Sequence, residues 1–197
     1  MQYKEDSFLP VHHSFNALLR KKVLITGDVG AGKTRLTLEL MDDAIELGFS
    51  DEITIIDMAP ATIHVKGMRV GGKLSEFTDK LRNVRYLAPL KVETPRLSAK
   101  SKSELLHLVD LNEKRVRILL NEFVKTPTPI LFVNDISIYF QSGVDEPILS
   151  ALRSSETFIA NGYYGTTLTS EFETSISKAE RRLMEKLADN VDLVIRL

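Results

Sequence analysis

The chain has 197 residues, 43% hydrophobic and 27% charged, with a formal net charge of -1. That composition is that of one soluble globular domain with enough chain to bury a full core, and the near-neutral charge gives no global case for nucleic acid or an anionic membrane. Cysteine is absent, which excludes disulfides, thiolate metal sites and cysteine nucleophiles. The start, MQYKEDSFLP, lacks the basic and apolar runs of a signal peptide, and no apolar stretch is long enough to span a bilayer. The expectation is a cytoplasmic protein.

Residues 1–20 read as an N-terminal arm before a single domain over 21–197. His12 and His13 lie in that arm, and two adjacent histidines seldom face one ion, so they read as an exposed pair. Residues 21–26, KKVLIT, form a buried strand running into a glycine. Leu36, Leu40, Ala44 and Leu47 then recur at helical steps until Gly48 ends the helix. A second strand, EITIID, spans 52–57. Residues 58–75 show no period and read as a long loop, a feature that in compact domains is usually functional.

A short strand is expected at 84–88. Ser101 and Glu104 fit a capping box at the start of a long helix that Pro127 and Pro129 stop. ILFVND, residues 130–135, is another buried strand; Asp145 and Pro147 open a short helix; residues 157–161 form the next strand. Ile176, Ala179, Leu183 and Leu187 mark one more helix, and residues 191–196 close the chain as a strand. Uniformly apolar strands alternating with helices predict an α/β three-layer sandwich around a doubly wound, mainly parallel sheet. Ligands sit at the carboxyl ends of such strands. Here those ends carry a glycine-rich loop, Asp57, Asp135 and Asn161.

Residues 27–34 read GDVGAGKT and satisfy G-x-x-x-x-G-K-[ST] in full. Triphosphate oxygens need many donors at close range. Gly27, Gly30 and Gly32 free the backbone so that the N–H groups of Asp28, Val29 and Ala31 can turn inward as a nest. The following helix aims its N-terminus at the same place. Lys33 is placed to reach the β- and γ-phosphates, and Thr34 offers a hydroxyl to magnesium. ATP with Mg²⁺ is therefore the expected ligand pair.

These residues resemble the P-loop NTPases. The order of elements is RecA-like, and the P-loop cobalamin adenosyltransferases are similar in length and order. The resemblance implies that Asp135, at the tip of ILFVND, acts as the Walker B aspartate in the magnesium shell. Many such ATPases place a glutamate after that aspartate to orient water; here Ile136 stands there. Asp57, on a different strand, is then the candidate catalytic carboxylate, or else a loop starter. Asn161 is read as a sensor of the γ-phosphate or as a turn residue before Gly162. There is no N-K-x-D guanine reader, no L-S-G-G signature and no deviant lysine near Asp28 and Val29.

Three further features stand beside the loop. Lys66, Arg69 and Lys73 lie among glycines and suit a second anionic ligand, nucleic acid, or plain solvation. Tyr163 and Tyr164 suit base stacking, a partner, or covering the sheet end. Arg181 or Arg182 would serve as an arginine finger in a homo-oligomer, or as a solvated face. The leading reading is a slow, Mg²⁺-dependent ATPase coupled to a partner or oligomer. The alternatives are a small-molecule transferase with its second substrate over residues 58–75, and a regulatory module that barely hydrolyses. Should Asp57 not orient water, Glu52, Glu171 and Glu173 are the next carboxylates to consider.

Overall fold

The computed structural model describes residues 13–65, 68–168 and 175–197, so His12, Lys66, Glu171 and Glu173 lie outside the described residues, as does the side chain of Arg69. The strands are β1 (Lys22–Gly27), β2 (Ile53–Asp57), β3 (Ile63–Val65), β4 (Met68–Val70), β5 (Arg85–Leu87), β6 (Ile130–Asn134), β7 (Thr157–Tyr163) and β8 (Leu193–Arg196). The helices are α1 (Phe15–Leu18), α2 (Lys33–Glu46), α3 (Pro95–Ser98), α4 (Lys102–Lys125), α5 (Ser137–Phe140), α6 (Glu146–Ser154) and α7 (Ser175–Ala188). Six strands form one sheet in the order β5-β2-β6-β7-β1-β8, and every pairing within it is parallel.

The apolar strands carry side chains to both faces because both faces are covered. Leu24 of β1, Leu131 and Val133 of β6 and Phe158 of β7 pack against the helices α4, α5, α6 and α7. The alternate residues Val23 and Ile25, Ile53 and Ile55, Ile130 and Phe132 pack against α1 and α2. The result is the expected three-layer α/β sandwich. Ser101 caps α4 by accepting the Glu104 N–H at 3.1 Å, and the Glu104 carboxylate reaches back to the Lys100 N–H at 2.7 Å. The box thus closes one residue earlier than its usual form, on Lys100 in place of Ser101.

Two expectations change. Residues 13–20 are part of the domain, because Phe15 and Leu18 are core residues and the Phe15 ring stacks 6.1 Å from that of Phe132. Their apolar spacing fills only one short turn, too little to show as a period in the sequence. Residues 58–75 are not structureless: β3 and β4 pair antiparallel, and a 3-10 turn follows at Leu74–Glu76. Gly71 at φ +78° and Gly72 at φ +132° return that hairpin to the sheet edge. A Cβ at Gly71 would meet the carbonyl oxygens of Pro60 and Ala61 at 3.0 Å, so the close approach requires glycine.

Candidate functional site

The strand order decides which side chains meet. β7 lies between β1 and β6, so the glycine loop after β1 and Asp135 after β6 flank the end of β7. Gly30 and Gly32 hold φ of +75° and +94°, and Gly32 passes straight into α2 at Lys33. The Lys33 ammonium donates to the carbonyls of Gly27 at 3.0 Å and Asp28 at 2.6 Å. Burial pushes its pKa down, while Asp135 and Asp28 pull it back. A cation fastened by its own loop in this way is held ready, since phosphate oxygens are stronger acceptors than those carbonyls.

Lys33, Thr34, Asp135 and Asn161 line one cavity of about 110 Å³, walled on the far side by Ala59 and Gly71. It adjoins a groove of about 390 Å³ beside α2, bounded by Arg35, Leu38 and Phe77. Among the described residues, Asp135 is the one carboxylate lining the phosphate-loop cavity.

Asp135 stands just beyond β6 in the left-handed region, at φ +56°. A non-glycine residue there is strained unless held. Its N–H donates to Asn161 Oδ1 at 3.1 Å, and Ser137 Oγ donates to its carboxylate at 2.6 Å. Burial raises the pKa of Asp135, Ser137 and the nearby Lys33 cation lower it, and Asp57 raises it again.

Behind this edge runs a buried polar chain that joins three strands to α2. Asn134 donates to Asp57 Oδ1 at 2.8 Å, Asn161 donates to Asn134 Oδ1 and to Thr37 Oγ1 at 2.8 Å each, and Thr37 donates to the Lys33 carbonyl at 3.0 Å. The register makes this possible by setting Asp57 opposite Asn134 and Val133 opposite Ala160. Asp57 is fully buried and does not line the cavity. Its Oδ1 accepts from the Ala59 N–H and Asn134, and its Oδ2 from the Leu74 N–H and the Tyr86 hydroxyl. Four donors saturate a carboxylate. Burial raises its pKa, against those hydrogen bonds. Tyr86, Thr37, Asn134 and Ser137 were not singled out in the sequence. A polar residue at the end of an otherwise apolar strand is the signal that marks Asn134.

Asp28 fastens the loop to the segment after β7. Its carboxylate accepts from the Val29 N–H at 2.6 Å and the Thr166 N–H at 3.1 Å. Burial opposes its ionisation, and donors from Thr166, Val29 and Thr167 outweigh that, so its pKa is lowered. Tyr164 donates to Glu185 at 2.8 Å, and Arg181 lies 4.5 Å over the Tyr164 ring. Tyr163 accepts from the Leu168 N–H at 2.9 Å. Both tyrosines are half-buried and cover the sheet end, and Arg182 is exposed. Lys73 donates to the Pro89 carbonyl at 2.8 Å, away from solvation alone.

No protein-family model matches the chain, and no curated protein does. Among solved structures, the chain is similar to the flagellar accessory protein FlaH from Methanocaldococcus jannaschii, at 12% identity, with 90% of this chain and 71% of that chain covered and a TM-score of 0.42. The sheet order and the loop's place in it, and not that likeness, fit the P-loop NTPase fold. Among the described residues no helix is long and apolar enough to cross a membrane, and no cluster of three or more acidic or histidine side chains stands ready for a metal. A magnesium site of the expected kind would draw only Thr34 and Asp135 from the protein, with phosphate and water supplying the rest.

Proposed function

We propose that the chain binds Mg²⁺·ATP and hydrolyses it slowly, with its nucleotide state read by a partner protein or a second copy. The observation that carries this reading is the Lys33 ammonium inside a glycine loop at the carboxyl edge of a parallel sheet, facing a strained aspartate across one cavity. The loop N–H groups and Lys33 take the β- and γ-phosphates. Thr34 and Asp135 take the magnesium ion. The groove by Arg35, Leu38 and Phe77 has room for the nucleoside, being within the usual range of about 300–1,000 Å³ for ligand clefts.

Slow turnover follows from the carboxylates. Asp135 is committed to the metal, and every acceptor position of Asp57 is filled by this chain's own donors. We therefore assign Asp57 the role of a positioning residue that fixes Asn134 and, through it, Asn161. Asn161 holds the Asp135 backbone and borders the cavity, a place suited to sensing the γ-phosphate. A base or an arginine from a partner would accelerate the reaction, since general-base help alone is worth roughly 10²–10⁴-fold. Cytoplasmic residence is part of the same proposal.

Calorimetric titration with ATP, in Mg²⁺ and in chelator, tests the reading on the wild type and on Asp135→Ala. The wild type gains affinity from Mg²⁺ and the variant does not. A variant that gains as much as wild type would remove Asp135 from the metal shell, and a wild type that binds no ATP would end the proposal.

A further inference from the structure

The end of β7 holds the turn that follows β6 at three points. Asn161 Oδ1 accepts the Asp135 N–H at 3.1 Å, the Asn161 carbonyl accepts the Ile136 N–H at 2.9 Å, and the Tyr163 N–H donates to Ser137 Oγ at 3.1 Å. All three contacts come from the strand that pairs with β6. The turn that carries Asp135 at φ +56° is therefore fixed by its neighbour in the sheet.

Ser137 acts on the carboxylate as well. A backbone N–H can only donate, so the Ser137 oxygen accepts from Tyr163, and its single proton goes to Asp135 Oδ1 at 2.6 Å. Ser137 is 2% exposed, so water does not compete for that proton. The two oxygens of Asp135 are thereby made different. Oδ1 is committed to Ser137, which lines a space of about 60 Å³ beside the aspartate and does not line the phosphate-loop cavity. Oδ2 accepts no hydrogen bond among the described residues and is not enclosed. Asp135 does line the phosphate-loop cavity, so Oδ2 is the oxygen left for a cation there.

One free oxygen suits some ions better than others. Ca²⁺ takes about six to eight oxygens and often both oxygens of one carboxylate, whereas Mg²⁺ holds about six in a strict octahedron. A two-oxygen approach to Asp135 has to break the Ser137 contact, a short hydrogen bond to a charged acceptor and so one of the stronger kind. A one-oxygen approach leaves that contact whole. We propose, resting on the reading that Asp135 serves the metal of the nucleotide, that Ser137 is a positioning residue that presents Asp135 through Oδ2 alone and so biases the site toward Mg²⁺ over Ca²⁺. Ser137 does not touch the ion. It acts through Asp135, and its own place is set by the Tyr163 N–H.

The test is calorimetric titration of ATP into the full chain in chelator, in Mg²⁺ and in Ca²⁺. Wild type should gain more affinity from Mg²⁺ than from Ca²⁺. Ser137→Ala should keep its affinity in chelator within twofold and lose on the order of fivefold of the gain from Mg²⁺, the loss of one hydrogen bond. Its gain from Ca²⁺ should stay, so the preference narrows. Ser137→Thr keeps the hydroxyl, has room for its methyl in the adjoining space of about 60 Å³, and should hold the wild-type preference. Ser137→Cys keeps the size but offers only a weak donor, so it should repeat the narrowing even where the alanine variant does not fold. A merely structural role weakens binding alike in all three solutions, and that result would overturn the proposal. So would a wild type without preference, alanine and cysteine variants with the wild-type preference, or a threonine variant that narrows as far as alanine. Asp135→Ala tells the two levels apart. If it gains as much from Mg²⁺ as wild type, the metal reading of Asp135 fails and the proposal with it. If it loses the gain while the Ser137 variants keep the preference, the proposal fails alone.

Discussion

Replacing Asp57 by asparagine separates its structural role from a chemical one. The carboxylate accepts from the Ala59 and Leu74 N–H groups, Asn134 Nδ2 and the Tyr86 hydroxyl. An amide has one oxygen, so it keeps only the pair of donors on one side. The least costly arrangement turns its NH₂ toward Tyr86, whose hydroxyl can rotate to accept. The Leu74 N–H is then left facing a donor, a buried unpaired group worth about 1–3 kcal/mol. Losing a hydrogen bond to a charged acceptor adds to this, and removal of a buried charge subtracts from it. The net expectation is a loss of about 2–3 kcal/mol. With a urea slope of about 2–3 kcal/mol/M for a domain of this size, the unfolding midpoint falls by roughly 1 M at neutral pH. ATP affinity of the folded variant stays within twofold. Because burial raises the Asp57 pKa in the fold, the folded wild type takes up a proton on acidification before the unfolded chain does, above the ordinary value of 3.8; that linkage stabilises the wild type as pH falls through the raised pKa, so its lead over the non-titrating variant widens there. An unchanged midpoint at neutral pH would refute the ionised, four-donor reading. Normal stability combined with a decade's loss of turnover would instead return Asp57 to the chemistry.

Other expectations follow from single contacts. A Cβ at Gly162 would lie 2.9 Å from Ile136 Cγ2 and from Met184 Cε, so Gly162→Ala is expected to cost about 1–3 kcal/mol by overpacking, read from urea denaturation. The raised pKa of Asp135 sets the pH dependence of metal binding: the gain in ATP affinity from Mg²⁺ is full where Asp135 is ionised and falls as pH drops through its raised pKa, at a pH above the ordinary 3.8, as calorimetry across mildly acid buffers will show. Phosphate release in single turnover at saturating ATP should be slow in the isolated chain; turnover at tens per second would mean that a base from outside the described residues reaches the site.

The sheet was legible because apolar runs such as ILFVND and EITIID are short, rich in β-branched residues and bounded by turn formers, which favours buried strands over helix segments, and their number and spacing imply helices between them. The glycine loop was legible because its chemistry demands a fixed spacing. What the sequence hid is relational. ILFVND shows that Asp135 ends a strand, but not that the backbone there turns left-handed and is held by Asn161 from the neighbouring strand. EITIID shows Asp57 at a strand tip, where a carboxylate that faces the cavity and one that faces inward look alike. Only the approach of Leu74 and Tyr86, 17 and 29 residues away, decides between them. The β3–β4 hairpin was missed because two three-residue strands carry too few positions to show an alternation.

The central claim is that the loop at residues 27–34 holds a triphosphate through Lys33. Calorimetric titration of Mg²⁺·ATP into wild type and Lys33→Ala tests it most directly. A charged hydrogen bond to phosphate is worth about 1.5–3 kcal/mol, so the variant, its fold confirmed by an unchanged circular dichroism spectrum, should bind roughly one to two decades more weakly. Equal affinity in the two proteins would contradict the account.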